Sequence, residues 1–342
     1  MSTRMERVKA AFKRTFADMV PAYPILGAFS AQLIGKSTRE YLTDPEAMAD
    51  AQLAANERYQ PDIVVVMADL LLEVEAMGAR LIFPEDAMCQ LKEYPLEEKG
   101  QLASLRVPVP ERDGRLPLYL EACGRVRREV KDAAVGGTLL GPWAMAASLR
   151  GIENLIYDTY EDPAFVHELV KFCVEVAKVA GDSLLATGTG LSYSEATVSC
   201  SVISPKIYQA FIKPYHEELM RYYRDKRATL TLHVCGYIDP IMQDLVDVGA
   251  GALSIDAVSS LRKMVETAGK KVVVIGNVAT TTFQRGVKEE IERETRECID
   301  TARAQSAFIL SSGCEVPPTT APETVDHFMR VAREYGRYPD RD

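Results

Sequence analysis

Short apolar runs recur along this chain with amphipathic helical patterns between them, and that repetition limits the fold more than any single motif does. About eight such runs can be placed, close to the number of strands in a closed parallel barrel. They are Pro21–Leu26, Ile63–Met67, Val135–Leu140, Leu184–Leu191, Ala228–Val234, Ala252–Asp256, Val272–Asn277 and Ala307–Ser312. The intervening patterns carry helix start signals and dense charge pairing: Asp-Pro opens Asp162–Ala180, Pro205 sits in the first turn of Ser204–Asp225, and Lys288–Ala304 and Pro322–Tyr335 follow. No nucleotide-binding glycine fingerprint follows the first run. The chain is therefore predicted to be an α/β protein, a (β/α)8 TIM barrel with an N-terminal helical extension, rather than a doubly wound open sheet. Its 342 residues fit a single barrel domain over residues 1–342.

The regular pattern breaks between Gly78 and Arg115, a stretch that holds Pro84, Pro95, Pro108 and Pro110. It is too long for a simple connection and is expected to be an excursion over the barrel mouth, either a lid or a packed spacer. The glycines of Gly136-Gly137 and of Gly188 and Gly190 lack an ordered phosphate fingerprint and read as strand-end bends. Gly35-Lys36-Ser37 has Ser30 where a phosphate loop needs glycine, so the nucleotide reading fails.

Charge excludes one class of partner. Forty Lys and Arg against 49 Asp and Glu give a net charge of −9, the wrong sign for a protein that binds by neutralising phosphates. No stretch approaches a membrane span and Met1–Lys13 lacks the apolar core of a signal peptide, so a cytoplasmic protein is expected. Seven cysteines, an odd number without framework spacing, are then thiols or metal ligands rather than bridges.

The run ending Thr229-Leu230-Thr231-Leu232-His233-Val234-Cys235 alternates, which puts His233 and Cys235 on one face of a strand, inside the barrel. Their Cβ atoms lie about 6.6 Å apart at strand rise, a span an imidazole and a thiolate can close onto one ion. Cys314, in Ser311-Ser312-Gly313-Cys314-Glu315-Val316-Pro317-Pro318, follows the last run and so reaches the same C-terminal mouth. Three soft donors from two strands, with no obvious fourth, fit a catalytic zinc site with an open position better than a closed structural one. Two thiolates and a neutral imidazole leave zinc formally uncharged, a setting suited to alkyl transfer to sulfur.

His233-x-Cys235 with Gly313-Cys314-Glu315-x-Pro317-Pro318 resembles the zinc motif of corrinoid-dependent methyltransferases in the uroporphyrinogen decarboxylase superfamily. Met5–Val8, Gly141-Pro142-Trp143, Ser204-Pro205, Lys213-Pro214-Tyr215, Ser254–Asp256, Gly276–Val278 and Arg333–Gly336 look like that family's landmarks, in the family's order, over nearly the whole chain. The resemblance implies a (β/α)8 barrel with zinc on His233, Cys235 and Cys314. It also implies methyl transfer between a small molecule and the cobalt of a corrinoid carried by a separate protein. The small molecule would be a thiol such as coenzyme M, an aryl methyl ether or a methylamine. Ser192–Glu195 departs from the Asp-containing strand end of many relatives, leaving Glu195 as a fourth ligand, a base or neither. Asp69 occupies a place resembling the decarboxylases' pyrrole-binding Asp, which keeps a decarboxylase as the alternative. The Arg-rich segment of that branch is missing, because Gly27–Gly35 contains no arginine.

Asp69, Glu73 and Glu75 follow the second run and could offer acid or base groups at the mouth, against a role at a solvated helix start; of the three, Asp69 is taken as the candidate. Asp256 and Asn277 end their runs and are candidates for substrate contact or helix capping. His167, His216 and His327 fall on predicted helices and are not assigned to the site. A noncatalytic corrinoid or metal carrier is the remaining class, but none of the four histidines has the Asp-x-His-x-x-Gly context that such carriers share.

Overall fold

The computed structural model describes residues 1–339, and among them ten strands form. They are β1 Ala22–Ile25, β2 Ile63–Val66, β3 Leu81–Ile82, β4 Gln90–Leu91, β5 Ala134–Leu140, β6 Gly190–Glu195, β7 Leu230–Val234, β8 Ala252–Ile255, β9 Val273–Val278 and β10 Phe308–Glu315. Eight of them form one parallel sheet in the order β1-β10-β9-β8-β7-β6-β5-β2, with helices packed outside, which is the expected (β/α)8 arrangement. Residues 340–342, the end of the stretch expected to form one domain, lie outside the described residues. Among the described residues no helix is long and apolar enough to cross a membrane.

The seam between β1 and β2 is closed by Asp62. Its backbone N–H donates to the Ala22 carbonyl at 2.9 Å, and its carboxylate accepts the Ala22 N–H at 2.8 Å. Arg7 pairs with this carboxylate at 3.1 Å and with Asp18 at 2.8 Å. The N-terminal helix Arg4–Phe12, started by a Thr3 and Glu6 capping box, is thereby fastened across the N-terminal end of the barrel.

Two expectations need correction. Leu184–Leu191 is not a strand: the helix that begins at Pro163 continues to Ala186, burying Leu184, and β6 starts only at Gly190. An apolar helix end followed by a turn looks like a strand when judged by composition alone. The helix expected over Ser204–Asp225 is interrupted by a π turn at Tyr208–Ile212, next to Pro214, which has no N–H for a regular helical bond.

The excursion after Gly78 forms the antiparallel β3–β4 hairpin and a short 3-10 helix, Lys99–Ser104. It contributes Met88 and Cys89 to the wall of the central cavity, so it belongs to the mouth.

Candidate metal centre

Local backbone requirements put the three candidate ligands where they are. Cys235 follows β7 and precedes Gly236, whose φ of +75° and tight contact with Ser199 (a Cβ there would lie 2.5 Å from the Ser199 hydroxyl) leave room only for glycine. Asp256, at the end of β8, accepts the Gly236 N–H at 2.9 Å and holds this turn. On β10, Gly313 passes so close to β8 that a Cβ would come within 2.6 Å of the Ala257 backbone nitrogen. The pairing of β1 with β10 shifts register between Tyr23/Ser311 and Ile25/Glu315. Such an irregularity re-aims side chains, and both Cys314 and Glu315 line the mouth.

The result is a compact triad. One donor atom each from His233, Cys235 and Cys314 lies within 4.8 Å of the others. His233 Nε2 is 3.1 Å from Cys235 Sγ, and the two sulfurs are 3.8 Å apart. Zinc bonds to sulfur of about 2.3 Å at a tetrahedral angle require sulfurs about 3.8 Å apart, so the donor set fits that ion. His233 Nδ1 lies 2.9 Å from the Ser254 hydroxyl. With Nδ1–H donating there, the Nε2 lone pair faces the thiols, the orientation a metal-binding imidazole needs. The paired thiols do not share charge equally: S–H donation from Cys235, together with His233, pulls the Cys314 thiol well down, while that same bond and burial hold Cys235 up. Without metal the pair is one thiolate and one thiol, as expected for like charges in contact.

Asp69 lines the same cavity. Its carboxylate accepts from Arg115 at 2.6 Å and from the Leu71 N–H at 2.8 Å. The structure does not bring the other candidates to the cavity. Asn277 donates to the backbone carbonyls of Asp256 and Ser259, both at 3.0 Å, and so braces the β8 loop. Glu195 is fully buried and turned away: its oxygens accept the N–H groups of Trp143 and Ala144, at the start of helix Pro142–Arg150, and lie 2.8 Å from His216 Nε2. This is an anion at a helix N-terminus.

Glu315 and Cys89 of the cavity lining escape sequence reasoning, whereas Glu73 stands in that reasoning beside Asp69 as a possible acid or base. Glu315 accepts the Ala28 N–H at 2.8 Å, and burial beside Cys314 and Asp69 pushes its carboxyl up to about 8. Its place next to Cys314 was the available signal. Cys89 arrives from the excursion, and burial near Asp69 raises its thiol to about 12. Glu73 lies beneath the mouth, fully buried, with one oxygen accepting the Leu140 N–H at 2.8 Å and the other, among the described residues, unpartnered. Burial pushes Glu73 up to about 7 from 4.5.

That shift has a measurable consequence. A folded-state pKa above the unfolded one means stability that is present below about pH 4.5 and drains away as pH rises through 7. Glu73→Gln keeps the acceptor for Leu140 but cannot ionise. Its stability relative to wild type should improve by about 2 kcal/mol between pH 5 and pH 8, read from urea unfolding. A pH-independent difference would show that Glu73 ionises in the folded protein as it does in the unfolded chain.

The whole chain has recognisable relatives. Residues 3–335 match the family model described as uroporphyrinogen decarboxylase (URO-D). The chain is 22% identical to a methylcobamide:CoM methyltransferase, MtaA, of Methanosarcina barkeri, covering 97% of this chain and 98% of that one. It is 24% identical to a methylated-thiol–coenzyme M methyltransferase of Methanosarcina mazei, covering 87% and 80%. It is 25% identical to a uroporphyrinogen decarboxylase of Nitrosococcus oceani, covering 85% and 83%. A solved methyltransferase from Methanosarcina mazei superposes with a TM-score of 0.89 over 98% of this chain and 99% of its own, at 23% identity, and has the same fold. With the family model matching from the first helix to the last, the chain belongs to the uroporphyrinogen decarboxylase family.

Proposed function

We propose that this member of the family is a zinc-dependent methyltransferase that moves a methyl group between the cobalt of a partner corrinoid protein and a small thiol or methylated substrate in the cytoplasm. The observation that carries the reading is the convergence of His233, Cys235 and Cys314 at the barrel mouth with the spacing of a zinc donor set. The relatives' names alone do not decide, because methyltransferases and decarboxylases stand at 22–25% identity alike. Charge adds to the case. The cavity is about 600 Å³ and carries Asp69 and Glu315 near the triad, with Lys9 at its opposite end as its one lysine or arginine among the described residues. A polycarboxylate porphyrinogen would meet carboxylates there instead of cations.

Zinc held by His233, Cys235 and Cys314 would supply Lewis acidity, keeping a bound thiol deprotonated or polarising the heteroatom that gives up a methyl group. The chain's own residues supply position. Ser254 holds the imidazole, Asp256 and Gly236 hold the Cys235 turn, and Met88 and Cys89 of the excursion wall the mouth. Asp69, fixed by Arg115, presents a carboxylate at the same mouth and is the candidate acid or base.

The test is optical and anaerobic. Mixed with methylcobalamin and thiols, the protein should generate Co(I). Mixed with Co(I) corrinoid and methyl ethers, thioethers or methylamines, it should generate methyl-Co(III). His233→Ala should abolish whichever reaction occurs, and uroporphyrinogen should release no CO₂. Decarboxylation at an enzymatic rate, or transfer unaffected in His233→Ala, would overturn the reading.

A further inference from the structure

The interior of a (β/α)8 barrel is ordinarily filled by layers of bulky side chains. Here one half is filled and the other is not. On the β8–β10 side Ala252, Val273, Ile275, Ala307 and Ile309 pack with Tyr23 into an inner core. Around β5, β6 and β7 the layers are thin, while Ile63 and Val65 of β2, partly buried, pack against that core. Gly136 of β5 stands opposite Gly190 of β6, so the lower layer has no side chains at all on these two strands. The next layer is Thr138, Ser192 and Thr231, in register across β5, β6 and β7, and the third contains Ser194 and His233. Gly190 does open β6, but Gly136 lies inside β5, and the two face each other across the sheet and leave a hole.

Burial shows that water reaches this space. On β2, β6 and β7 the cavity-lining residues Ile63, Val65, Gly190, Ser192 and Thr231 are more exposed than Val64, Leu191 and Leu232, which face the surrounding helices. One continuous cavity runs from the triad down to Val8, Lys9 and Phe12 of the N-terminal helix. From Thr229 to Cys235 it follows about 20 Å of strand. Among the described residues the hydroxyls of Ser192, Thr229 and Thr231 find no hydrogen-bonding partner, and the wall across the lumen is apolar, with Ile63 and Val65. The nearby cation Arg115 is neutralised by Asp69 and Glu75, at 2.6 and 2.7 Å.

We infer that this lumen is the binding site for the body of the small substrate: an elongated, uncharged molecule, apolar along one edge and hydrogen-bonding along the other, whose heteroatom sits at the triad. The inference rests on the methyl-transfer reading only for the reactive end. A short thiol sulfonate such as coenzyme M would set its sulfonate beside Asp69 and Glu315, while Lys9, the one lysine or arginine of the lining among the described residues, lies far away at the floor. The unpaired hydroxyls and the hollow apolar wall have no structural task that the fold requires, and they match a ligand of this class.

The experiment is calorimetric binding of neutral ω-hydroxyalkyl methyl sulfides, with two to ten methylenes, to the protein as purified, with 2-(methylthio)ethanesulfonate as the anionic comparison. Affinity should rise with chain length by up to roughly fourfold per methylene until the lumen is full, because each added methylene leaves water. Gly136→Leu should erase most of that rise, at least tenfold for the longest probe, while leaving the shortest probe and the metal content unchanged. A Cβ at Gly136 meets nothing closer than 3.8 Å, so the variant should fold. Thr231→Leu, which narrows the next layer, gives an independent check. Affinity independent of chain length, tighter binding of the sulfonate, or long-probe binding unchanged in both variants would overturn the inference. Long-probe binding that depends on Gly136 in a protein without zinc would uphold the lumen and refute the zinc reading. Zinc-dependent transfer without chain-length dependence would do the reverse.

Discussion

Cys314→Ala should emerge from purification with almost no zinc and with methyl transfer reduced at least 1000-fold, while the barrel remains folded. If about 12 kcal/mol of apparent binding free energy is spread over three donors, losing one weakens affinity on the order of 1000-fold. The remaining pair, His233 and Cys235, cannot recruit a replacement: Glu195 is committed to the Trp143 and Ala144 N–H groups, and Glu315 to that of Ala28. Cys235→Ala should behave alike. Ser254→Ala should be milder, about 10- to 100-fold in affinity, because it frees the imidazole without removing a ligand. In wild type, metal uptake near neutral pH should release about one proton, from Cys235, since Cys314 is already the thiolate of the pair. Elemental analysis, calorimetry in buffers of different ionisation enthalpy, and circular dichroism read the three quantities. Full zinc occupancy in Cys314→Ala would sink the metal assignment.

The triad was legible in the sequence because strand alternation is a local rule. Thr229, Thr231, His233 and Cys235 had to share a face, and a last strand before Cys314 had to deliver it to the same mouth. The barrel was legible for a related reason: strands buried on both faces read as continuous apolar runs. Leu184–Leu191 failed because two leucines closing a helix and a glycine-bounded strand start carry the same composition. What the sequence could not disclose depends on partners far away along the chain. Glu195 looked like a mouth residue at a strand end, yet Trp143, Ala144 and His216 capture it. Asp256 and Asn277 read as substrate contacts or helix caps, and in the fold they brace the Cys235 turn and the β8 loop. The hollow half of the barrel needs Gly136 to face Gly190, a fact of register that no single run contains.

Arg115→Leu should destabilise the protein by about 3–5 kcal/mol, the range for stripping the partner from buried charges. Arg115 closes the excursion that begins at Gly78, and its side chain is only 10% exposed. It donates to Asp69 at 2.6 Å, to Glu75 at 2.7 Å and to the Leu42 carbonyl at 3.0 Å, and its guanidinium lies 4.6 Å from the Phe83 ring centre. Leucine fills much of the space but strands two carboxylates, one of them, Asp69, with a side chain only 2% exposed. Even with Arg115 present, burial holds Glu75 above its ordinary value. Once the cation is gone, the Glu75 carboxyl should bind its proton still more tightly in the folded than in the unfolded chain. Stability contributed that way is present at low pH and lost as pH rises, so the deficit of the variant should be larger at pH 8 than at pH 5. Adding Asp69→Asn should recover part of it, most visibly at pH 8. Urea unfolding of the single and double variants at both pH values decides: a deficit under about 1 kcal/mol, or one that shrinks as pH rises, would mean that the ion pair is not what holds the excursion to the barrel. If the pair does hold it, the damage reaches the reaction centre directly, because the chain that Arg115 anchors is the one that sets Met88 and Cys89 into the wall of the mouth.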